Sequence, residues 1–286
     1  MKKILITGAK GFIGCYLIEQ LKNSNPNFEY FESKCDLTDP IKIKEELRVI
    51  KPNVVLHMAA LCGAKNSQDN PGLFFTNNFL ATKYLIDEMI NLDIKKLIFT
   101  SSMTVFGESD VSINEKAIFY PKHQYSLTKV LCENYIKFQE YNAGLTNIIL
   151  RPTLVVGKFS KELHAIGLFI KEIIDNGHIQ IFGDGSHIRD FIHPKDVAEF
   201  LKILINELLI SSKYINKSFN LSNNEPISMV DLANKIFLKK KKSPKLIYIP
   251  KNSQTFSLFC DNTNSSKLFK PKYNLDFIID EMINCL

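Results

Sequence analysis

The feature that most constrains the fold is a short apolar run followed at once by a glycine-punctuated turn and a helical pattern. Residues 3–7 form the apolar run, glycines stand at Gly8, Gly11 and Gly14, and apolar residues then recur at helical spacing as far as Leu21. This order predicts a strand, a tight turn and a helix. The first glycine permits the turn, the second lets backbone amides approach a phosphate group, and the third lets the helix pack on the strand.

The same turn predicts a dinucleotide site, because a helix N-terminus attracts phosphate. Its GxxGxxG spacing is one residue longer than the usual fingerprint, and such glycines also occur in purely structural turns. The position of the turn between the first strand and the first helix nevertheless favours nucleotide binding, with Phe12 and Ile13 in the turn. The ribose should be read at the end of the second strand, where Glu32 stands. Glu32 favours NAD slightly, whereas Lys10 and Lys34 beside it favour NADP.

Strand and helix patterns continue to alternate along the first half of the chain. Apolar strand-like runs lie at 54–56, 97–99 and 147–150, with helical patterns at 74–92 and about 125–141. This alternation predicts an α/β fold with a doubly wound parallel sheet of the Rossmann type.

Beyond residue 151 the alternation loosens into short elements separated by Asn, Ser and Pro. We therefore predict a dinucleotide-binding domain at 1–157, with a segment near 189–210 returning to it. A smaller, interleaved substrate-binding lobe is predicted at 158–286, covering the carboxyl ends of the strands, where open α/β sheets bind their ligands.

Composition excludes several classes of protein. The chain of 286 residues is 45% hydrophobic and 23% charged, which is typical of globular proteins, and no apolar stretch is long enough to span a bilayer. Its six cysteines show neither a CxxC pair nor metal-ligand spacing, so we expect free thiols, no metal and a cytoplasmic location. The net charge of +6 comes from interspersed lysines, and the run at 239–242 is typical of a solvated helix end, so no nucleic-acid partner is expected. Only three basic residues are arginines: Arg48, Arg151 and Arg189.

A candidate catalytic pair follows the predicted strand at 97–99. Tyr125 and Lys129 are four residues apart and so share one face of a helix. A neighbouring ammonium lowers the pKa of a phenol towards the range useful for proton transfer. A YxxxK pair alone is often a surface contact, but the hydroxyls at 100–102 end the strand of 97–99, where Ser102 can share a substrate oxygen with Tyr125.

With these residues the chain resembles a known family, the extended short-chain dehydrogenase/reductases that act on nucleotide sugars. The resemblance covers nearly the whole chain, and several motifs in the right order are more specific than any one of them. The motifs are TGAKGFIG (7–14), CDLTD (35–39), VVLHMAA (54–60), NFLAT (78–82), SSMTVFG (101–107), YSLTK (125–129), RPTLVVG (151–157), FGDGSHIRDFIHPKDVA (182–198) and FNLSNNEPIS (219–228).

The resemblance implies roles for particular residues. Ser102 and Tyr125 would hold the sugar oxygen at carbon 4, with Tyr125 transferring the proton and Lys129 also holding the nicotinamide ribose. Arg189 would grip the diphosphate, a task for which Arg is better suited than Lys; its alternative is an ion pair with Asp190. The expected cofactor residues are Gly8, Gly11, Phe12, Ile13, Gly14, Glu32, Asp36, Leu37, Ala59, Ala60, Asn78, Tyr125 and Lys129. The expected substrate residues are Ser102, Met103, Thr104, Thr153 and Arg189.

Departures from the family pattern bear on the reaction. Met103 and Thr104 stand where the 4,6-dehydratases carry an Asp-Glu pair, so dehydration is not expected. His164 lacks the Cys partner of the reductase-epimerases, and Leu154 replaces an Asn common in epimerases. We therefore favour a 4-ketoreductase of a nucleotide 6-deoxy-4-keto-hexose over a 4-epimerase with tightly bound NAD.

Two further expectations complete the sequence-based prediction. A protein that keeps the fold but has lost its chemistry, serving as a cofactor-binding scaffold, is the alternative of another class; the presence of both Tyr125 and Lys129 argues against it. The resemblance also implies a homodimer formed through the helices at 79–90 and 127–138.

Overall fold

The structure is a computed structural model that describes residues 1–22, 27–160, 164–250 and 257–286. The chain divides into two compact units, and neither is a continuous stretch of sequence. The first unit comprises Met1–Gly107, Ile118–Arg151 and Val197–Phe219. The second comprises Glu108–Ala117, Pro152–Asp196 and Asn220–Leu286.

Strands and helices follow one another through both units. In chain order the strands are β1 (Lys2–Thr7), β2 (Phe28–Glu32), β3 (Val54–His57), β4 (Lys96–Thr100), β5 (Thr146–Pro152), β6 (Leu154–Val155), β7 (Ile179–Phe182), β8 (Ile188–Arg189), β9 (Phe191–Ile192), β10 (Lys217–Leu221), β11 (Ile227–Ser228) and β12 (Leu246–Ile249). The helices are α1 (Phe12–Leu21), α2 (Pro40–Ile50), α3 (Ala64–Asp69), α4 (Pro71–Phe74), α5 (Ala81–Asn91), α6 (Gln124–Ala143), α7 (Ala165–Asn176), α8 (Pro194–Asn206), α9 (Met229–Lys239), α10 (Thr263–Ser266) and α11 (Leu275–Cys285). A 3₁₀ turn covers Met103–Phe106, and π-helical turns cover Phe75–Leu80 and Glu207–Ser211.

The main sheet has six strands in the order β10-β5-β4-β3-β1-β2. Strand β1 pairs in parallel with β2 on one side and β3 on the other, and β3-β4 and β4-β5 are also parallel. The chain therefore reverses its direction of winding at β1 and β3, which makes the carboxyl ends of these two strands the expected ligand crevice. The prediction of a doubly wound α/β fold is confirmed.

Helices cover this sheet because its strands are apolar on both faces. Ile4, Leu5 and Ile6 of β1 are each no more than 1% exposed, as a parallel sheet buried on both faces requires. On one face a core cluster joins the sheet to α2, α5 and α6 and includes Leu47 and Ile136.

Two predicted helices differ in detail from those observed. The pattern at 74–92 predicts one helix, whereas the structure has α4, a π-helical turn and α5 in succession. Periodicity does not reveal this turn, because its apolar spacing stays close to that of a helix. The other helix, α6, begins one residue early because the His123 side chain accepts from Ser126 N in a capping box, and it ends at Gly144 in the left-handed conformation.

The second unit has its own core. Helices α7, α9 and α11 bury a cluster that includes Ile170, Leu232 and Ile278 against short strand pairs. All six cysteines of the chain are free thiols. Within the described ranges, no helix combines the length and apolarity needed to cross a bilayer.

Candidate active site

The glycine turn lies at the crevice between β1 and β3. Gly8 has a φ of +71°, and a Cβ atom there would lie 2.6 Å from Ala59 N. A Cβ atom on Gly14 would lie 2.3 Å from Gly8 O. Only glycines therefore allow the turn to approach both the end of β3 and the first turn of α1. Because α1 starts at Phe12 with Gly11 as its N-cap, its positive dipole end faces this turn, and the cradle fits the pyrophosphate of a dinucleotide.

A buried chain of hydrogen bonds connects the carboxyl ends of β1 and β3 to helix α5 beside the glycine turn. Thr82 Oγ1 donates to Asn78 O at 2.5 Å, so it must accept from His57 Nε2 at 2.8 Å. His57 Nδ1 then accepts from Thr7 Oγ1 at 2.6 Å, and Thr7 Oγ1 accepts from Ala59 N. Burial, and secondly the charge of Lys129, lowers the pKa of His57 to about 3, which keeps this ring neutral.

Asn78 belongs to the π-helical turn and holds the loop after β3. Its Oδ1 accepts from Leu61 N at 2.7 Å, and its Nδ2 donates to Leu61 O at 3.0 Å and to Thr128 Oγ1 at 3.2 Å. The amide therefore links the Ala59–Ala60 edge of the crevice to α6. The cofactor contact of Asn78 stays a prediction, and its protein contacts are with the Leu61 backbone and Thr128.

The predicted adenosine end of the site lies after β2. Glu32 is the last residue of that strand and is exposed, as are Lys34 and Lys10. Beyond it, Asp36 accepts hydrogen bonds from Thr38 N and Thr38 Oγ1, which lower the pKa of the Asp36 carboxyl. Both acidic and basic side chains are thus exposed among the residues predicted to meet the adenosine end of the cofactor.

The candidate catalytic pair, Tyr125 and Lys129, lies at the start of α6. Lys129 is 3% exposed, its Nζ donates to Thr100 O at 2.7 Å, and it lies 6.0 Å from the centroid of the Tyr125 ring. Burial lowers the pKa of this ammonium, while the Glu133 carboxylate opposes the shift. The His123 ring stacks on Tyr125 with an interplanar angle of 13°. A half-buried phenol therefore stands beside a buried cation, the environment that favours a phenolate.

Ser102 lies two residues beyond the carbonyl that Lys129 holds. It caps the 3₁₀ turn, its Oγ accepting from Thr104 N at 3.2 Å and from Thr104 Oγ1 at 3.0 Å. Lys129 thereby ties the helix of Tyr125 to the strand end of Ser102, so the structure brings the three predicted catalytic residues to the same end of the sheet. Met103 is 1% exposed and Thr104 is half-buried.

The remaining predicted substrate residues belong to the second unit. Thr153 is buried, and its backbone N donates to Leu221 O at 2.9 Å. Arg189 ends β8; burial lowers the pKa of its guanidinium, and the Glu108 carboxylate opposes the shift. Asp190, the alternative partner considered for it, hydrogen-bonds Ser222 and the backbone that follows.

A buried network beside the carboxyl end of β4 was not predicted from the sequence. The Glu133 carboxylate accepts from Ser101 Oγ and pairs with Arg151, both residues being no more than 4% exposed. The available signal was spacing, because Glu133 follows Lys129 by four residues on the same face of α6.

Comparison with known proteins identifies the family. The NAD dependent epimerase/dehydratase family matches residues 4–220. The chain belongs to this family. It is 28% identical to a putative UDP-glucose 4-epimerase of Methanocaldococcus jannaschii, over 98% of this chain and 97% of that protein.

Two further relatives extend the comparison. The chain is 28% identical to GDP-6-deoxy-D-talose 4-dehydrogenase of Aggregatibacter actinomycetemcomitans, over 72% of this chain and 71% of that protein. The fold is similar to that of UDP-glucose 4-epimerase from Brucella ovis in complex with NAD, with a TM-score of 0.86 and 21% identity over 99% of this chain and 98% of the other. The family resemblance predicted from the motifs is thus confirmed, and the protein belongs to an NAD-dependent family of epimerases and dehydratases.

Proposed function

We propose that the protein is a 4-ketoreductase of a nucleotide 6-deoxy-4-keto-hexose. The observation that carries the proposal is the grouping of Tyr125 and buried Lys129 with Ser102 at the end of β4. Such a group can hold a carbonyl oxygen and give it a proton. A bound reduced nicotinamide would supply the hydride for carbon 4.

Each residue has a distinct task in this reaction. The Ser102 and Tyr125 hydroxyls donate to the carbonyl oxygen at carbon 4, and the Tyr125 phenol transfers its proton to that oxygen. The Lys129 ammonium stabilises the resulting phenolate until a proton returns from solvent. The glycine turn holds the cofactor pyrophosphate, and we assign Glu32 to the adenosine ribose, which gives NAD a slight preference.

The residues after Ser102 argue against dehydration. A dehydratase needs an acid and a base there, whereas Met103 and Thr104 cannot protonate or deprotonate a sugar at neutral pH. The similarity to the Aggregatibacter protein, whose name describes a 4-dehydrogenase of a 6-deoxy-hexose nucleotide, favours the carbon-4 reaction. In the second unit, we assign Arg189 and Thr153 to the diphosphate and sugar of the substrate.

A 4-epimerase with tightly bound NAD is the second candidate. The same three residues can oxidise carbon 4 and return the hydride to the other face of the sugar. The similarity to the Methanocaldococcus protein over nearly the full length of both chains favours this reading.

The two reactions differ in their use of cofactor. The purified protein is incubated with a 6-deoxy-4-keto nucleotide sugar and NADH or NADPH, and separately with UDP-glucose. We expect one cofactor oxidised per keto sugar reduced. Interconversion of UDP-hexoses without net cofactor turnover would establish the epimerase instead, and cofactor binding with neither reaction would leave a non-catalytic scaffold.

The role of Tyr125 has a matched control on the same helix. Tyr125→Phe removes only the phenolic oxygen and should lower kcat by about two to four orders of magnitude, with cofactor affinity retained. Tyr141→Phe makes the same change at a side chain that is 90% exposed, and it should leave kcat unchanged. Equal activity of the two variants would remove Tyr125 from the mechanism.

We also propose a homodimer formed through α5 and α6. Phe138 on α6 is 57% exposed, and Phe75, in the π-helical turn that precedes α5, is 37% exposed. Aromatic side chains of this kind are enriched at interfaces.

A further inference from the structure

One carboxylate on α6 is buried next to the catalytic strand end without touching the proposed substrate position. Tyr125, Lys129 and Glu133 follow one another at intervals of four residues and so lie along one helix face. Glu133 is 2% exposed, and its Oε1 accepts from Ser101 Oγ at 2.5 Å. Ser101 directly precedes Ser102, so this hydrogen bond lies one residue from the hydroxyl that the proposed reaction uses.

Arg151 fixes that carboxylate in one orientation. Its Nε donates to Glu133 Oε1 and Oε2 at 2.9 and 3.2 Å, and its Nη2 donates to Oε2 at 2.5 Å. The guanidinium carbon lies 4.8 Å from the Phe106 ring centroid and 5.2 Å from that of Phe119. With hydrogen bonds to the Glu133 carboxylate and two aromatic rings close to its central carbon, the guanidinium has little freedom to reorient.

Stability alone does not account for such a pair. The Arg151 and Glu133 side chains are 5% and 2% exposed, so both charges have been taken out of water. A well-packed apolar group of similar volume often stabilises a protein equally well or better, because desolvation offsets the attraction of a buried ion pair. The retained pair therefore points to a requirement for defined geometry.

The geometry it defines is the position of the strand end against α6. Lys129 holds the Thr100 carbonyl at 2.7 Å, and Glu133 holds the next residue, Ser101, by its hydroxyl. Two successive residues of the strand end are therefore fastened to the helix that carries Tyr125. A carbonyl oxygen shared by Ser102 and Tyr125 needs both hydroxyls within hydrogen-bond distance at once.

We propose that the Glu133–Arg151 pair is a positioning pair, which acts through Ser101 to fix the Ser102 hydroxyl relative to Tyr125. The inference rests on the proposed carbon-4 chemistry, whether reduction or epimerisation. A displacement of about 1 Å at a reacting group lowers rates by about a hundredfold, so a partial loosening should lower kcat by about tenfold.

The first test removes the link and leaves the ion pair in place. In Ser101→Ala, kcat should fall about tenfold, while KM and the dissociation constant for the cofactor stay within about twofold. Ser265→Ala is the matched control, because Ser265 is also a buried serine, 1% exposed, whose Oγ donates to a carbonyl, that of Asn220, at 2.7 Å. This control should keep its kcat even if its Tm falls. An unchanged kcat in Ser101→Ala, or an equal loss in both variants, overturns the proposal.

A second measurement separates positioning from general destabilisation. Glu133→Gln should also lower kcat, and because Ser101 acts through Glu133, the double variant should lose no more kcat than Glu133→Gln alone. Losses that multiply would show that the two residues act independently and would contradict the proposal. If Glu133→Gln does not fold, Ser101→Ala and its control decide the question.

The activity of the unsubstituted protein distinguishes a failure of this inference from a failure of the proposed function. If it is inactive with both the keto sugar and UDP-glucose, the proposed function fails and the positioning role fails with it. If it is active and Ser101→Ala matches it, only the positioning role fails.

Discussion

The glycine cradle allows a sharp test at Gly14. Gly14→Ala adds one methyl group inside α1, and its carbon would lie 2.3 Å from Gly8 O and 2.5 Å from Ala9 O. Ordinary contact begins at 3.4 Å, so helix and turn must separate by about 1.1 Å, the difference between 3.4 and 2.3 Å. Because both contacts are with backbone oxygens, no side chain can rotate away to relieve them.

The size of the effect follows from this overlap. Overpacking of this kind costs about 1–3 kcal/mol, so the free energy of unfolding should fall by about 2 kcal/mol. With an unfolding entropy of about 2.1 cal/mol/K per residue, a loss of about 2 kcal/mol lowers the Tm of a chain of 286 residues by roughly 3 °C. Displacing the turn also loses at least one charge-assisted hydrogen bond to the pyrophosphate, worth about 1.5–3 kcal/mol, which weakens cofactor binding by about ten- to a hundredfold.

Gly72→Ala provides the matched control. A Cβ atom on Gly72 would have no neighbour within 4 Å, so the same methyl meets open space. Replacing a helical glycine by alanine should leave Tm unchanged or raise it slightly, because alanine stabilises a helix by about 0.5–1 kcal/mol relative to glycine. Tm is measured by calorimetry and the cofactor dissociation constant by titration of intrinsic or NADH fluorescence. A Gly14→Ala protein that binds NADH as tightly as Gly72→Ala would refute the assignment of the cradle to the pyrophosphate.

Three other predictions concern pH and assembly. Burial raises the pKa of Asp190 from 3.8 to about 7, so folding loses stability as pH rises through that window, and Asp190→Asn should gain Tm relative to the parent at pH 8 compared with pH 4. His57 has its pKa lowered from 6.5 to about 3, so stability falls as pH drops below 6.5, and the Tm deficit of His57→Gln should be smaller at pH 5 than at pH 7. A constant Tm difference across pH would contradict either assignment. Phe138→Glu should convert the proposed dimer to a monomer in light scattering; an unchanged mass would exclude α6 from the interface.

The parts of the fold that could be predicted are those determined by residues close together in the sequence. The β1–α1 turn is predictable because its three glycines meet backbone restrictions within one short segment. Tyr125 and Lys129 are predictable because helical spacing alone puts them on one face. The π-helical turn at Phe75–Leu80 was missed, since its side chains keep a nearly helical apolar period while Asn78 bonds to a loop 17 residues earlier.

The parts of the site that could not be predicted depend on long-range partners. Arg151 was one of only three arginines, yet its sequence position beside Pro152 shows only a strand end. Its partner Glu133 is 18 residues away, and Ser101 is 32 residues from Glu133. Likewise the hydrogen-bond partners of the buried His57 ring are Thr7 and Thr82, 50 and 25 residues distant. No local pattern encodes such pairings, because they exist only once the strands are adjacent.

The division of the chain into two units restricts how this enzyme can be cut or recombined. The polypeptide passes from one unit to the other at five points, after Gly107, Ala117, Arg151, Asp196 and Phe219. A gene fragment ending near residue 150 encodes the glycine turn but lacks β10, the outermost strand beside β5. The first unit therefore cannot be transferred to another protein as one continuous segment of sequence. Exchange between relatives is expected to succeed for whole genes or for loops within one unit, and premature termination anywhere before β10 removes an edge of the sheet.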